Sequence, residues 1–190
     1  LTLLLVLLFF MSITATAFGE GLAVGETAIF KDFSLELPLG LFADDFTLPE
    51  DNAMTKEQVE LGRSLFFDVR LSKDNTLSCA GCHNPEFAFA DNRPVSMGVN
   101  GQNGERNTPS VINRFGTIEQ FWDGRAATLE AQARGPVTNP IEMAMTSEEA
   151  VVKKIADIPG YRQWFKKVFG GEVSMDHIAM AIAAFERTIV

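Results

Sequence analysis

The sequence has few of the residues that form cross-links or bind metals. Its 190 residues include only two cysteines and two histidines. Both cysteines fall in one pentapeptide, Cys79-Ala80-Gly81-Cys82-His83, together with one of the histidines. No cysteine is left for a disulfide framework elsewhere in the chain. Any chemistry that needs a thiol is therefore confined to this pentapeptide.

Basic residues are also scarce. Sixteen Lys and Arg against 25 Asp and Glu give a net charge of −9. This balance excludes nucleic acid as a partner, because a phosphate backbone is bound through excess positive charge. A basic redox partner is compatible with it. Tyrosine occurs once against sixteen phenylalanines, and phenylalanine packs without a hydrogen-bond partner, which suits an apolar crevice or any helical core.

The spacing C-x-x-C-H is the attachment signature of c-type haem. Cys79 and Cys82 can each form a thioether to one haem vinyl group, and His83 can then ligate the iron. A thioredoxin-type redox pair would need a preceding strand, whereas the segment 71–78 is polar and turn-like. A zinc site would need two further ligands, which only His177 and carboxylates could supply. The motif and its context favour haem c.

The N-terminal segment has the pattern of a secretory signal. An apolar run from Leu1 to Phe10 leads to the small residues Ala15-Thr16-Ala17. We expect residues 1–17 to be a truncated signal peptide, with an uncleaved anchor as the alternative. Both place the mature protein outside the cytoplasm, and we predict a periplasmic location. Residues 18–54 show no sustained period and are interpreted as an extended leader that wraps the domain.

Residues 55–190 predict an all-α, cytochrome c-like domain with one covalently bound haem c. A T-x-x-Q capping box at Thr55 begins a helix to about Phe67. Ser174 caps a final helix with a continuous apolar stripe. We expect the two helices to cross, with Gly62 and Phe66 against Ala181 and Phe185, because Gly62 lets a second helix approach closely.

The middle of the chain predicts shorter elements. A glycine-rich stretch from Arg93 to Thr108 is expected to be a loop. Pro109 is expected to open a short helix to Asn113. Thr128 is expected to cap another helix that stops before Gly135-Pro136.

The second axial position of the iron decides the function. A second strong ligand makes an electron carrier, whereas an open face permits peroxide chemistry. His177 lies off the apolar stripe of its helix, which is typical of a solvated residue. Met97, Met143 and Met145 are candidate ligands, although methionine in a helical protein more often packs in the core.

Several motifs, in this order, resemble those of bacterial dihaem cytochrome c peroxidases and their MauG-type relatives. They are LGRSLFFD at 61–68, RLS at 70–72, CAGCHNPEFAFAD at 79–91, RNTPS at 106–110, FWDGRA at 121–126, EAQA at 130–133, GP at 135–136, NPIEM at 139–143 and AFERT at 184–188. The resemblance covers roughly residues 55–190. It implies the N-terminal half of such an enzyme, which carries the haem that reduces hydrogen peroxide with electrons from a small cytochrome c or cupredoxin.

The resemblance also implies roles for individual residues. Glu142 matches a glutamate over the open iron face, where a carboxyl can carry a proton between the two peroxide oxygens. Gln132 matches a glutamine that hydrogen-bonds peroxide, and Pro136 a proline that shapes the pocket. Trp122, beside Phe121, matches a tryptophan between two haems.

Asn107 matches a ligand of a calcium ion held between the two halves, and a carboxamide oxygen suits that ion. The resemblance further implies a second haem c in a C-terminal half that is missing from this chain. The sequence shows no C-cap signal before Val190, so we expect the last helix to continue to the end of the chain. We therefore expect either a fragment or a single-haem variant, and a homodimer is one assembly compatible with the family.

The glycine-rich loop departs from the family pattern. Classical peroxidases carry there a histidine that ligates the resting iron, and the equivalent position holds Val99. Valine cannot coordinate iron, so we expect a five-coordinate or water-bound haem, closer to the MauG type. Peroxidase activity is the leading interpretation. The alternatives are a MauG-type oxidase of a protein or organic substrate and a non-enzymatic electron-transfer cytochrome with Met143 or Met97 as the sixth ligand.

Overall fold

The helices of the chain follow the order expected for an all-α domain. The computed structural model describes residues 25–46 and 48–190. Its α-helices are α1 (Lys56–Phe66), α2 (Cys79–Cys82), α3 (Leu129–Thr138), α4 (Glu148–Ala156), α5 (Pro159–Phe169) and α6 (Met175–Glu186). Single 3-10 turns lie at Ala43–Asp45, Val69–Leu71, Pro85–Phe87, Val99–Gly101 and Arg114–Gly116. The predicted fold class is confirmed, but α6 ends at Glu186 with Arg187 as its C-cap and does not continue to Val190 as the sequence suggested.

A small hairpin precedes these helices. Strands β1 (Thr27–Ile29) and β2 (Ser34–Glu36) pair antiparallel, with Ala28 opposite Leu35. No helix in the described ranges is both long and apolar enough to span a bilayer. The signal peptide expected at residues 1–17 lies outside the described residues.

Helix α1 begins at its predicted cap. The Thr55 hydroxyl accepts the backbone N–H of Gln58 at 3.2 Å, which satisfies one of the free donors of the first turn. The Gln58 amide does not complete the capping box, because it donates to the side chain of Asn52 and to the carbonyl of Met180. The capping glutamine thus ties α1 to α6.

The crossing of α1 and α6 is the centre of the core and has the predicted residues. A Cβ added at Gly62 would lie 1.7 Å from the Ala181 carbonyl oxygen, so the two backbones touch where no side chain fits. Phe66 packs edge-on against Phe185 with ring centroids 5.2 Å apart. Phe66 also lies 6.4 Å from the His83 ring. The crossing therefore lies next to the haem-attachment motif, with Phe66 beside His83.

The described part of the leader is fastened to the helices. Met54 is fully buried, and the Phe46 ring stacks on Phe115 at 3.8 Å. The Asn52 amide donates to Glu130 at 2.6 Å and to the Met180 carbonyl at 3.2 Å. Glu130 in turn pairs with the buried Arg187 at 2.7 Å. The leader thus packs on α3 and α6, and the division at residue 54 stays a prediction.

Helix α3 does not stop where the sequence suggested. It begins after the predicted cap Thr128, whose hydroxyl accepts the N–H of Ala131 at 3.1 Å, but it runs through Gly135 and Pro136 to Thr138. A proline inside a helix removes one backbone hydrogen bond. Here the lost bond is the one to the Gln132 carbonyl, four residues earlier. The carbonyls of the last turn find partners outside the helix, and Met143 donates its N–H to the Pro136 carbonyl at 3.2 Å. Gln132 and Pro136 are consequently one turn apart on the same helix face.

The short helix expected from Pro109 to Asn113 is also absent. The Ser110 hydroxyl donates to the Ala88 carbonyl at 2.6 Å and accepts the N–H of Ile112 at 3.2 Å. Asn113 then takes a left-handed conformation with φ of 58°. These local bonds compete with helix formation, and the segment follows the motif region instead, with Val111 donating its N–H to the Phe89 carbonyl at 3.2 Å.

Candidate haem-binding and active site

The two cysteines lie on the single turn of α2, and His83 follows at its C-cap. The His83 N–H donates to the Cys79 carbonyl at 2.8 Å, which closes the turn. Both cysteines are free thiols. Two thiols one helical turn apart, followed at once by an imidazole, are arranged as covalent haem attachment requires.

The orientation of the His83 ring is set by a backbone carbonyl. Its Nδ1 lies 3.2 Å from the Phe89 carbonyl oxygen. A carbonyl only accepts, so Nδ1 carries the hydrogen and Nε2 is left as the ligand nitrogen. Burial lowers the pKa of His83, which keeps the imidazole neutral, the form that binds iron.

A cavity of about 420 Å³ lies beside the motif. Its lining includes every predicted site residue except Cys79, namely Cys82, His83, Asn107, Phe121, Trp122, Gln132, Pro136 and Glu142. Cys79 instead packs against the hydrophobic core behind the motif. Residues from distant parts of the chain are thus gathered on one cavity, with their roles still predictions.

The Glu142 carboxyl is held by its own turn. The Asn139 amide nitrogen donates to Oε1 of Glu142 at 2.8 Å. Burial raises the pKa of Glu142, opposed by nearby Arg125 and by the Asn139 hydrogen bond. Val99 donates its N–H to the Glu142 carbonyl at 2.8 Å. The valine therefore supports the backbone of the acid, and its buried side chain contributes no ligand.

The thiols and their surroundings fit haem better than the alternatives. Burial raises the pKa of Cys82 to about 11 and also raises that of Cys79. A catalytic redox pair needs the opposite shift, toward the thiolate. Among the described residues, no group of three or more His, Cys, Asp or Glu could hold a metal ion, which leaves the zinc interpretation without ligands.

Two arginines line the cavity, and neither was predicted from the sequence as a site residue. Arg106 and Arg125 pair with Asp123 at 2.7 and 2.9 Å and lower its pKa to about 2. The Arg125 guanidinium also stacks 3.5 Å from the centre of the Phe121 ring. Haem carries two carboxylates, so cations at the edge of the cavity are a further match to this cofactor. Both arginines lie in motifs that the sequence shares with the family, RNTPS and FWDGRA, and these motifs could have indicated them as site residues.

Trp122 lies at the mouth of the cavity with 65% of its surface exposed. Its indole N–H donates to the Asn107 carbonyl at 2.8 Å. The Asn107 amide donates to the Arg93 carbonyl at 2.6 Å. The tryptophan is thus an exposed ring held rigidly at the surface rather than a core aromatic. The role of Asn107 as a calcium ligand stays a prediction.

None of the candidate sixth ligands lines this cavity. The His177 ring stacks on Phe169 at 4.3 Å, and its Nδ1 faces the Glu172 carbonyl at 3.0 Å. Met143 and Met145 are buried in the hydrophobic core. The Met97 sulfur lies 2.9 Å from an Arg93 nitrogen.

An all-α fold with a C-x-x-C-H turn on a cavity of this size defines a c-type haem domain. The chain belongs to the di-haem cytochrome c peroxidase family, whose family model matches residues 56–190. Family membership implies haem c as the cofactor, which agrees with the fit of the motif and cavity.

Individual relatives agree with this assignment. Cytochrome c551 peroxidase of Nitrosomonas europaea is 47% identical over 155 residues, which are 80% of this chain and 46% of the relative. Methylamine utilization protein MauG of Methylorubrum extorquens is 45% identical over 145 residues, covering 75% of this chain and 40% of the relative.

The structural comparison gives the same result. A crystal structure of a MauG-like protein associated with microbial copper homeostasis matches with a TM-score of 0.73 at 36% identity, over 80% of this chain and 45% of that chain. The chain thus spans less than half the length of these relatives.

Proposed function

We propose that the chain is the peroxide-reducing haem c domain of a peroxidase that converts hydrogen peroxide to water. The observation that carries the proposal is the single cavity on which His83, Gln132 and Glu142 meet. One of these side chains is a ligand type, one is an amide donor and one is a half-buried acid. Their combination fits peroxide better than simple electron transfer, which needs no acid at the iron.

Each residue has a distinct task in this proposal. Haem c, when bound, supplies the iron at which two electrons reach the peroxide. His83 Nε2 would hold that iron. The Gln132 amide donates a hydrogen bond to the bound peroxide. Glu142 takes the proton from one peroxide oxygen and returns it to the other, so that one peroxide, two electrons and two protons give two waters.

We propose a small periplasmic cytochrome c or cupredoxin as the donor and a second haem c in the additional length that the relatives have. Trp122, exposed at the mouth of the cavity, is the proposed relay between the haems. Calcium at Asn107, a signal peptide at residues 1–17, periplasmic location and a homodimer complete this proposal.

A MauG-type oxidase is the second candidate because of Val99. This valine occupies the loop position where a resting-state histidine is expected, and its N–H is bound to the Glu142 carbonyl. We expect the ferric haem to be five-coordinate or water-bound without prior reduction. Visible and EPR spectra of the ferric protein test this, and a purely low-spin signal with two strong ligands would contradict it.

Replacement of the acid tests the main proposal. Glu142→Gln in the haem-loaded full-length protein should lower peroxide turnover by roughly 10²–10⁴-fold, the usual contribution of a positioned acid–base group. Chemical reduction and reoxidation of the haem should stay unchanged. Peroxide turnover of Glu142→Gln equal to that of the wild type would show that Glu142 is not the acid, and a wild type without peroxide turnover would favour the electron-transfer cytochrome.

A further inference from the structure

The turn that carries Glu142 is built by one side chain. The Oδ1 atom of Asn139 accepts the N–H of Ile141 at 2.9 Å, and Glu142 donates its own N–H to the Asn139 carbonyl at 3.1 Å. This is an Asx-type turn at the end of α3. It brings the fourth residue of N-P-I-E back to the first, so the carboxyl of Glu142 meets the amide of Asn139.

The two ends of the Asn139 amide have fixed roles. Since Oδ1 accepts a backbone N–H, the group facing Glu142 is the NH₂, which can only donate. It lies 2.8 Å from Oε1 of Glu142. A donor there stabilises the carboxylate and holds one of its two oxygens in place.

The backbone around the acid is clamped as well. Val99 N–H binds the Glu142 carbonyl at 2.8 Å, and the Gln102 amide lies 3.3 Å from the Pro140 carbonyl. A Cβ added at Gly98 would lie 1.7 Å from the Ile141 carbonyl oxygen. The loop and the turn are therefore in van der Waals contact along their backbones, which fixes the position from which the Glu142 side chain extends.

We propose that Asn139 is a positioning residue for Glu142: its NH₂ group holds Oε1, favours the carboxylate form and leaves Oε2 to exchange the proton with peroxide. This inference rests on the proposed function of Glu142. It names a residue that acts through the acid and does not itself touch peroxide.

Two other groups near Glu142 affect its pKa, and their effects can be separated from that of Asn139. Arg125, from the turn at 121–125, is the cation that stabilises the carboxylate. The Cys82 thiol is the other titratable neighbour, and burial raises its pKa to about 11. In the haem-loaded protein this sulfur is a thioether and does not titrate. A pH transition that disappears in Glu142→Gln therefore belongs to this carboxyl.

Cyanide binding to the ferric haem-loaded full-length protein reads this acid directly. Hydrogen cyanide must lose its proton as it binds, so a nearby carboxylate accelerates the reaction, and the midpoint of the rate against pH reports the pKa of Glu142. The same midpoint should appear in the rate of the reaction with hydrogen peroxide. In Glu142→Gln the midpoint should vanish from both profiles.

Asn139→Asp is the sharpest variant. Its Oδ1 can still cap Ile141, but a carboxylate now faces a carboxylate, and two such groups share a proton. The midpoint should rise by at least about one pH unit, a tenfold change in proton affinity. Asn139→Ala removes the donor without adding charge and should raise the midpoint less. It also keeps the test open if the Asp variant does not take up haem.

Asn84→Asp is the matched control. Asn84 forms the same turn, with its Oδ1 accepting the N–H of Glu86 at 2.9 Å, but Glu142 is not its partner. The pH midpoint of the Asn84→Asp variant should equal that of the wild type. Midpoints that rise in the order wild type, Asn139→Ala, Asn139→Asp support the proposal. A midpoint that both Asn139 variants leave in place, or lower, overturns it.

The two proposals fail in different ways. A wild-type protein that reacts with cyanide but not with peroxide contradicts the proposed function, and the cyanide midpoints still report on Asn139. A protein that reduces peroxide normally, with midpoints that ignore Asn139, contradicts the positioning role alone.

Discussion

Two Asn-Pro turns adjoin residues of the cavity: one directly follows His83, and the other ends at Glu142. In both, the Asn side-chain oxygen accepts the N–H two residues on, at 2.9 Å. The first turn reads N-P-E-F and the second N-P-I-E. The acid thus stands one position later in the second turn, where the chain returns to the asparagine amide. In the first turn that position holds Phe87, which is half exposed.

The difference between the turns shows how each side of the site is fixed. His83 is oriented by the carbonyl of Phe89, and Asn84 pairs its N–H with the carbonyl of Ala90 at 2.9 Å. These acceptors are backbone atoms, which side-chain substitution cannot remove. Glu142 is oriented by the side chain of Asn139. We therefore expect single side-chain substitutions to change the position of the Glu142 carboxyl more readily than the orientation of the His83 ring.

Removal of the ligand itself should have the largest effect. His83→Ala deletes the nitrogen that holds the iron, whereas the thiols of Cys79 and Cys82 stay available for attachment. We expect the histidine-ligated optical spectrum to be lost and peroxide turnover to fall to background. Optical spectra and the pyridine haemochrome of the purified protein measure this. A variant that keeps the wild-type ferric spectrum would show that His83 is not the ligand.

The next largest effect should come from separating the loop at Gly98 from the turn that carries Glu142. Gly98→Ala places a Cβ on the Ile141 carbonyl, so the loop must move away from Glu142. We expect a loss of about 1–3 kcal/mol in the free energy of unfolding and a fall in turnover of up to roughly 100-fold from the displaced acid. Thermal unfolding and steady-state kinetics measure the two effects.

Gly116→Ala is the control for this substitution. Within the described chain, no atom lies within 4 Å of a Cβ added at Gly116, so both quantities should stay near the wild-type values. If Gly98→Ala also behaves like the wild type, the contact between the loop and the Glu142 turn does not position the acid.

The scaffold could be predicted from the sequence because its signals are local. The caps at Thr55, Thr128 and Ser174 satisfy nearby backbone donors, and each begins a helix in the structure. The approach of Gly62 to Ala181 was predictable because a glycine on an apolar helix face marks a place where a second backbone can come close. The family motifs then indicated which residues share the cavity.

The errors came from bonds that the sequence does not display. Pro136 was predicted to end a helix, but the chain beyond α3 returns and donates N–H groups to the Pro136 and Val137 carbonyls of its last turn. Ser110 was predicted to lie in a helix, whereas its hydroxyl bonds to the distant Ala88 carbonyl. The pairing of Asn139 with Glu142 was missed for a related reason: a spacing of three suggests a helix as readily as a turn.

A buried acid near His83 tests whether the stability of the region around His83 also depends on a side chain. Glu186 is 5% exposed, its Oε2 has no hydrogen-bond partner among the described residues, and it lines a small cavity with His83 and Gln132. Burial raises its pKa from 4.5 to about 8. The folded state thus holds a proton that the unfolded state releases, and the free energy of unfolding should fall as pH rises from 4.5 to 8.

Glu186→Gln should remove that slope. At pH above about 8 the variant should be more stable than the wild type by about 1–3 kcal/mol, since it no longer buries an unpartnered carboxylate. Denaturant unfolding of the haem-loaded protein across this pH range measures the difference. Glu36→Gln, on the exposed strand β2, should keep the wild-type slope. An unchanged slope in Glu186→Gln would mean that the carboxyl is paired in solution.

The smallest effect should come from the turn after His83. Asn84→Ala removes one hydrogen bond to the N–H of Glu86, and we expect a loss of about 0.5–1.5 kcal/mol in the free energy of unfolding. The ferric spectrum and the pH midpoint of cyanide binding should not move, because the acceptors that orient His83 are backbone carbonyls. Asn139→Ala should lose a similar stability and yet shift the midpoint. If Asn84→Ala changes the spectrum as well, side chains fix both sides of the site and the two turns differ only in degree.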